Sequence, residues 1–214
     1  MNFAFYISSK ATRLNNIIRE KKGILNDTKV VISDSEENLY IKRELELLNI
    51  KFEYFKYKQL NKENDRNLML SNFLMEKFDE NNIDYIFVFG NHILKGDLLS
   101  KYKNRLINFH PSFLPSFKGI NAIDQAIQTN AIIIGNTAHF INETLDGGPI
   151  IMQNAIFTQV FLKEGYDAIL NEQIPMLEMI WKLLKENRIS VENDKVKING
   201  AIYDEVKYFP NVYV

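Results

Sequence analysis

Short, uninterrupted apolar runs separated by helical patterns constrain this chain more than any other feature. Phe3 to Ile7 has no polar position, which is the pattern of a strand buried on both faces. Lys29 to Ser33 reads as a second strand and Phe52 to Phe55 as a third. Asp84 to Phe89 is the strongest strand signal and is ended by Gly90. Between these runs, Thr12 is placed to cap a helix carrying Leu14, Ile17 and Ile18. Glu36 to Leu48 has helical spacing through Leu39, Leu45 and Leu48. Lys62 to Phe78 predicts a long amphipathic helix with Leu70, Phe73, Leu74 and Phe78 inward. Strands alternating with helices predict an α/β fold, a mostly parallel sheet with helices on both faces.

The second half departs from that rhythm. Arg105 to Phe109 is a strand that delivers Asn108 and His110 to its C-terminal end. Ala131 to Phe140 and Pro149 to Phe157 predict two longer strands, antiparallel or mixed, joined by the Asn142–Gly148 loop. Ala168 to Leu184 predicts a second long helix. The tail from Ile189 to Val214 alternates around Asn193-Asp194 and Asn199-Gly200, as a small hairpin would. No repeat or Pro/Gly/Ser-rich linker interrupts the chain, so a single domain over residues 1–214 is expected.

Composition narrows the chemistry. The chain has no cysteine, which excludes disulfides, thiolate metal sites and cysteine nucleophiles. A formal net charge of −1 gives no sign of a nucleic-acid surface or a membrane patch. The apolar start, Met1 to Ile7, is too short for a signal peptide, and no apolar run approaches the ~20 residues that span a bilayer. The expected location is cytoplasmic.

Ligands of parallel α/β sheets bind beyond the carboxyl ends of the strands, which is where Asn108 and His110 fall. Residues two apart on a strand share a face, so an amide donor and an imidazole with a pKa near ~6.5 would point together. The pair also reads as a strand end whose histidine binds backbone. Asp146-Gly147-Gly148 is either a plain hairpin turn or a turn whose glycines let a ligand approach the carboxylate. His139 is either a core histidine or a partner that steadies Asp146. Ser8 to Arg13 opens a helix with hydroxyls, Lys10, Thr12 and Arg13, suited to an anion or to an ordinary cap. The loop lacks glycine, so it is neither a dinucleotide fingerprint nor a P-loop. The histidines follow no metal-binding spacing, and no metal is expected.

Asn108-x-His110-Pro111-Ser112-x-Leu114-Pro115-x-x-x-Gly119, then His139, then Leu145-Asp146-Gly147-Gly148-Pro149-Ile150, resembles the folate-dependent formyltransferases. That resemblance spans most of the chain and implies a Rossmann-like fold. It implies transfer of a formyl group from 10-formyltetrahydrofolate to a primary amine, with Asn108, His110 and Asp146 as the catalytic trio. The implied folate contacts are His92, Ile93 and Leu94, and Asn142, Leu145 and Asp146. On the acceptor side it implies Lys10, Thr12, Arg13, Asn91 and Asn108. Its implied partners are a small-molecule amine and a reduced folate, with no nucleic acid and no membrane, and a homodimer is compatible.

Two departures bear on the acceptor. Glycinamide ribonucleotide enzymes of this family carry a Gly-rich, Ser-Asn-containing turn for the substrate phosphate where this chain has Ser9 to Arg13. His92 also stands where arginine usually precedes the folate-binding Ile-Leu. Length and element order favour a glycinamide-ribonucleotide-type acceptor, placing the chain in purine biosynthesis. A nucleotide-linked amino sugar is the alternative. A methionyl-tRNA acceptor is disfavoured because no C-terminal RNA-binding domain follows. Formyl-folate hydrolases usually carry an extra N-terminal domain, whereas this chain opens on its first strand, so transfer is expected over hydrolysis.

Overall fold

A computed structural model describes residues 1–59, 63–203 and 208–209. The fold is α/β and Rossmann-like, with mostly parallel strands first and an antiparallel set after them. It divides into two compact units, Met1–Ile107 and Asn108–Val214.

In the first unit, β1 (Phe3–Ile7), β2 (Thr28–Ser33), β3 (Lys51–Tyr54) and β4 (Tyr85–Phe89) are parallel, in the order β4-β1-β2-β3. All five residues of β1 are fully buried, as its unbroken apolar run predicts. The β1–β4 register sets Phe5 opposite Phe87 and Ile7 opposite Phe89. The rings of Phe3, Phe5 and Phe87 stack along one face at 5.6–6.0 Å. Such pairs add about 0.5–1.5 kcal/mol each beyond burial.

The helices of this unit are α1 (Thr12–Arg19), α2 (Lys42–Leu47), α3 (Glu63–Glu80) and α4 (Asp97–Lys101). In α3, Leu70, Leu74 and Phe78 are buried as expected, while Phe73 is half-buried against Phe55. The expected start of this helix at Lys62 lies outside the described residues. Two expectations need correction. Thr12 does not cap α1, because Ala11 occupies the cap position in a left-handed conformation and carries no hydroxyl. Glu36 to Leu48 is not one α-helix, because Glu36–Ile41 is wound as a 3-10 helix before α2 begins. The tighter winding turns Asn38 and Ile41 inward and leaves Leu39 exposed, and Leu48, just past α2, is exposed as well. Asn38 Nδ2 then donates to Ser33 Oγ at 3.0 Å, tying this segment to the end of β2.

The strand β5 (Leu106–His110) leads into the second unit. There β6 (Ile133–Phe140) and β7 (Ile150–Phe157) form a long antiparallel pair, and β10 (Tyr208–Phe209) adds antiparallel to β7. The helices are α5 (Ala122–Gln128), α6 (Thr158–Glu164) and α7 (Tyr166–Lys185). Ile123, Ala126, Ile134, Ile156 and Ile169 close a core among α5, β6, β7 and α7. The predicted hairpin is β8 (Ile189–Glu192) and β9 (Lys195–Ile198), whose turn residues Asn193 and Asp194 both have positive φ. The expected alternation over 204–207 and 210–214 lies outside the described residues.

Candidate active site

In the second unit, β5 persists to His110, so Asn108 and His110 lie on the same face. Opposite them, the turn after β6 brings in Asp146, whose backbone takes φ 48. Its side chain is 8% exposed, with Oδ2 3.5 Å from His110 Nδ1 and Oδ1 3.7 Å from His139 Nε2. The Gly119 N–H donates to Asp146 Oδ2 at 2.7 Å. Gly119 itself needs φ 81, which glycine adopts without a steric penalty.

A carbonyl oxygen only accepts, and this fixes the imidazole protons. His110 Nε2 lies 2.9 Å from the Phe117 carbonyl and must carry the hydrogen of that bond. Its Nδ1 is therefore the nitrogen left to exchange a proton, beside Asp146. His139 Nδ1 lies 3.0 Å from the Phe140 carbonyl and donates to it. Asn108 Nδ2 sits 3.4 Å from His139 Nε2, which is left as an acceptor. Burial holds the His139 pKa below its ordinary value, against the pull of the Phe140 carbonyl and Asp146.

The loop after β5 is pinned by groups that a sequence pattern does not single out. Thr137 Oγ1 donates to the Ser112 carbonyl at 2.7 Å and accepts from the Leu114 N–H at 3.0 Å. Gln153, opposite Thr137 in the β6–β7 register, donates to the Leu114 carbonyl at 2.8 Å and to Thr137 Oγ1 at 2.9 Å. This framework sets where the Phe117 carbonyl and Gly119 amide come to rest. A signal for it existed: Thr137 alternates with His139 on β6, so both belong to one face. On the loop before Asp146, Asn142 is exposed, its Oδ1 takes the Thr144 N–H, and Leu145 is 59% exposed.

The first unit gathers a separate cluster at the carboxyl ends of β1, β2 and β4. Asp34, buried just past β2, accepts from the Tyr6 hydroxyl and from Ser8 Oγ, the latter at 2.6 Å. His92 Nε2 faces the same carboxylate oxygen at 3.4 Å, and its ring stacks on Tyr57 at 3.7 Å. Burial, then the Asp34 charge, push the Tyr6 pKa well up. Gly90 makes room for the Tyr6 ring, since a Cβ there would lie 2.0 Å from Tyr6 Cε1.

Asn91 donates from its backbone to Ser8 Oγ at 3.3 Å and from Nδ2 to Ser9 Oγ at 3.0 Å. Ile93 is exposed and Leu94 buried. Lys10 and Thr12 are exposed, whereas the Arg13 guanidinium lies 5.0 Å over the Phe89 ring and is held down to about 10 by burial. Sequence reasoning missed Asp34 and Tyr6, although Ser33-Asp34-Ser35 directly after an apolar strand was a visible cue. Among the described residues no group of side chains is arranged to hold a metal ion. None of the described helices is long and apolar enough to cross a membrane.

The chain is 38% identical over 154 residues to a formyltetrahydrofolate deformylase of Haemophilus influenzae, covering 70% of this chain and 52% of that protein. It therefore spans about half the length of that relative. It is 40% identical over 84 residues to a phosphoribosylglycinamide formyltransferase of Bacillus subtilis, covering 39% of this chain and 43% of that one. Among solved structures, glycinamide ribonucleotide transformylase 1 from Symbiobacterium toebii is 25% identical with a TM-score of 0.78, covering 92% of this chain and 93% of that one. A family profile described as formyl transferase matches residues 1–173. With the profile covering most of its length, the chain belongs to the formyl transferase family.

Proposed function

We propose that this protein transfers the formyl group of 10-formyltetrahydrofolate to a primary amine. The observation that carries the reading is that Asp146 pairs with His110 and, through His139, is linked to Asn108 in one largely buried polar centre. Attack by an amine on the formyl carbon puts negative charge on the formyl oxygen and leaves a surplus proton on the attacking nitrogen. The Asn108 amide donates to that oxygen, and the charge of protonated His110 stabilises it. Asp146 balances the imidazolium at Nδ1 and holds the water that carries the proton to the departing folate nitrogen. No metal enters the scheme. The exposed Asn142–Leu145 segment is the folate-facing part of the second unit, offering backbone groups and the Leu145 side chain.

The favoured acceptor is a glycinamide-ribonucleotide-type amine, on element order and on the Symbiobacterium likeness across 92% of the chain. A nucleotide-linked amino sugar is the alternative, because the β1–α1 loop has no glycine and is backed by the Asp34 carboxylate. The deformylase relative supports a second reading in which water takes the formyl group and formate is released.

The test supplies 10-formyltetrahydrofolate with glycinamide ribonucleotide, with nucleotide-linked amino sugars, or with no amine. Tetrahydrofolate release that depends on an amine, and that falls at least ~10²-fold in His110→Ala, is the expected result. Equal release without amine, with stoichiometric formate, refutes transfer in favour of hydrolysis.

A further inference from the structure

His139 makes three contacts, and a neutral ring with its hydrogen on Nδ1 satisfies the two that lie within hydrogen-bond distance. Its Nδ1 donates to the Phe140 carbonyl at 3.0 Å, so a neutral ring leaves Nε2 as a bare lone pair. That lone pair faces Asn108 Nδ2 at 3.4 Å and can accept an amide hydrogen but not offer one. The Asn108 amide is therefore turned with its nitrogen, not its oxygen, toward the ring. One N–H is spent on His139 and the second is left for a ligand.

Asp146 Oδ1 also looks at Nε2, from 3.7 Å. Two acceptors gain nothing from each other, so a neutral His139 makes no claim on this carboxylate. Asp146 then serves His110 Nδ1 and the Gly119 N–H through Oδ2 alone. A proton on Nε2 reverses both relations. It would displace the Asn108 N–H and draw Asp146 toward His139.

The geometry points to His139 as a positioning residue: as a neutral acceptor it orients the Asn108 amide and leaves Asp146 to His110. This deepens the proposed function and rests on its assignment of Asn108 as the donor to the formyl oxygen. The groups that bear on the His139 charge are Asp146, which favours it, and His110 and Lys118, which oppose it. Burial, at 2% exposure, is the largest influence and keeps the ring neutral. The Phe140 carbonyl holds its other nitrogen.

Two measurements test the inference. Nitrogen-15 NMR of histidine-labelled protein at pH 7 reads the tautomer directly. The expected signal for His139 is neutral with hydrogen on Nδ1, and a hydrogen on Nε2 in any form overturns the inference. Kinetics provide the second arm. His139→Leu, with no acceptor, should lose about 10²-fold in kcat, as expected for a misplaced oxyanion donor, with KM for the folate within about twofold. His139→Gln restores an oxygen acceptor at the same reach and should recover to within about tenfold of wild type. Equal losses in Leu and Gln, or no loss in Leu, overturn the inference, provided urea unfolding shows both variants folded. A wild-type protein with no turnover would refute the proposed function instead, and the tautomer would then decide this inference alone.

Discussion

Asp146→Asn isolates the charge of the central carboxylate from its shape. Asparagine is nearly isosteric and, like aspartate, tolerates the left-handed backbone at φ 48. Its amide oxygen can take the place of Oδ2 and keep the Gly119 N–H at 2.7 Å. Its NH₂ then falls where Oδ1 stood, 3.7 Å from His139 Nε2, too far to displace the Asn108 N–H from that lone pair. The fold should therefore be preserved, with a melting temperature within about 3 °C of wild type, the shift that about 1 kcal/mol gives a chain of this length.

What disappears is the attraction between the carboxylate and a protonated His110. At the 3.5 Å separation of Nδ1 and Oδ2, and an effective dielectric constant of about 20, that attraction is about 5 kcal/mol. The amide dipole retains part of it, so the expected loss in kcat/KM is about 10³-fold. The assay follows tetrahydrofolate release and, separately, formylated amine and formate by mass spectrometry. In a His110→Ala background the same change should cost no more than about tenfold, because the two groups act as one unit. A folded Asp146→Asn protein within about tenfold of wild type would refute the argument that this carboxylate works by charge on His110.

The glycines before Pro149 should respond very differently to one added methyl. A Cβ on Gly148 would lie 1.8 Å from the Phe140 carbonyl oxygen, the acceptor of His139, so Gly148→Ala should cost about 1–3 kcal/mol in urea unfolding and impair catalysis. A Cβ on Gly147 would lie 2.5 Å from Thr144 Cγ2 and 3.4 Å from the Thr144 carbonyl oxygen, in an exposed loop that can shift, so Gly147→Ala should cost less than Gly148→Ala. Stability should also fall in acid through His139, whose folded pKa is lowered by burial. The unfolded chain then binds the proton first, so its contribution is full above about pH 6.5 and is lost as pH drops toward the folded value. Urea unfolding from pH 8 to 5 should show that slope, and His139→Gln should flatten it.

The strands were legible because burial on both faces leaves an unbroken apolar run, and Phe3–Ile7 matches β1 at both ends. The helices α4, α5 and α6 were not, since five to seven residues are too few for a helical period to stand out. Winding was also hidden: Leu39, Leu45 and Leu48 have helical spacing, yet Leu39 falls in the 3-10 segment, and of the three only Leu45, in α2, is buried. At the site, Asn108 and His110 could be placed from a strand end and Asp146 from its glycine turn. The local reading of His110 as a strand-end histidine bound to backbone also describes a bond that exists, to Phe117. What no local pattern reveals is that Gly119 reaches Asp146 across 27 residues, or that Thr137 and Gln153 fix the loop between them. Those contacts depend on a loop with positive φ at Phe117, Gly119 and Asn121, and nothing about a phenylalanine advertises that conformation.

The trio does not by itself choose between an amine and water. Either nucleophile loses a proton as it adds to the formyl carbon, and either develops the same oxyanion. In the proposed mechanism Asn108, His110 and Asp146 would serve both, in keeping with relatives named as deformylases and as formyltransferases. Selection must therefore come from what excludes water once the substrates are bound. In the second unit the exposed apolar side chains beside the Gly119–Asp146 bond are Ile120, at 84%, and Leu145, at 59%. Each neighbours in sequence one of the two residues in that bond. Apolar groups so open are the ones a ligand would cover, and covering them would dry the carboxylate that manages the proton. On this argument, transfer and hydrolysis differ less in catalytic residues than in how completely the acceptor closes over Ile120 and Leu145.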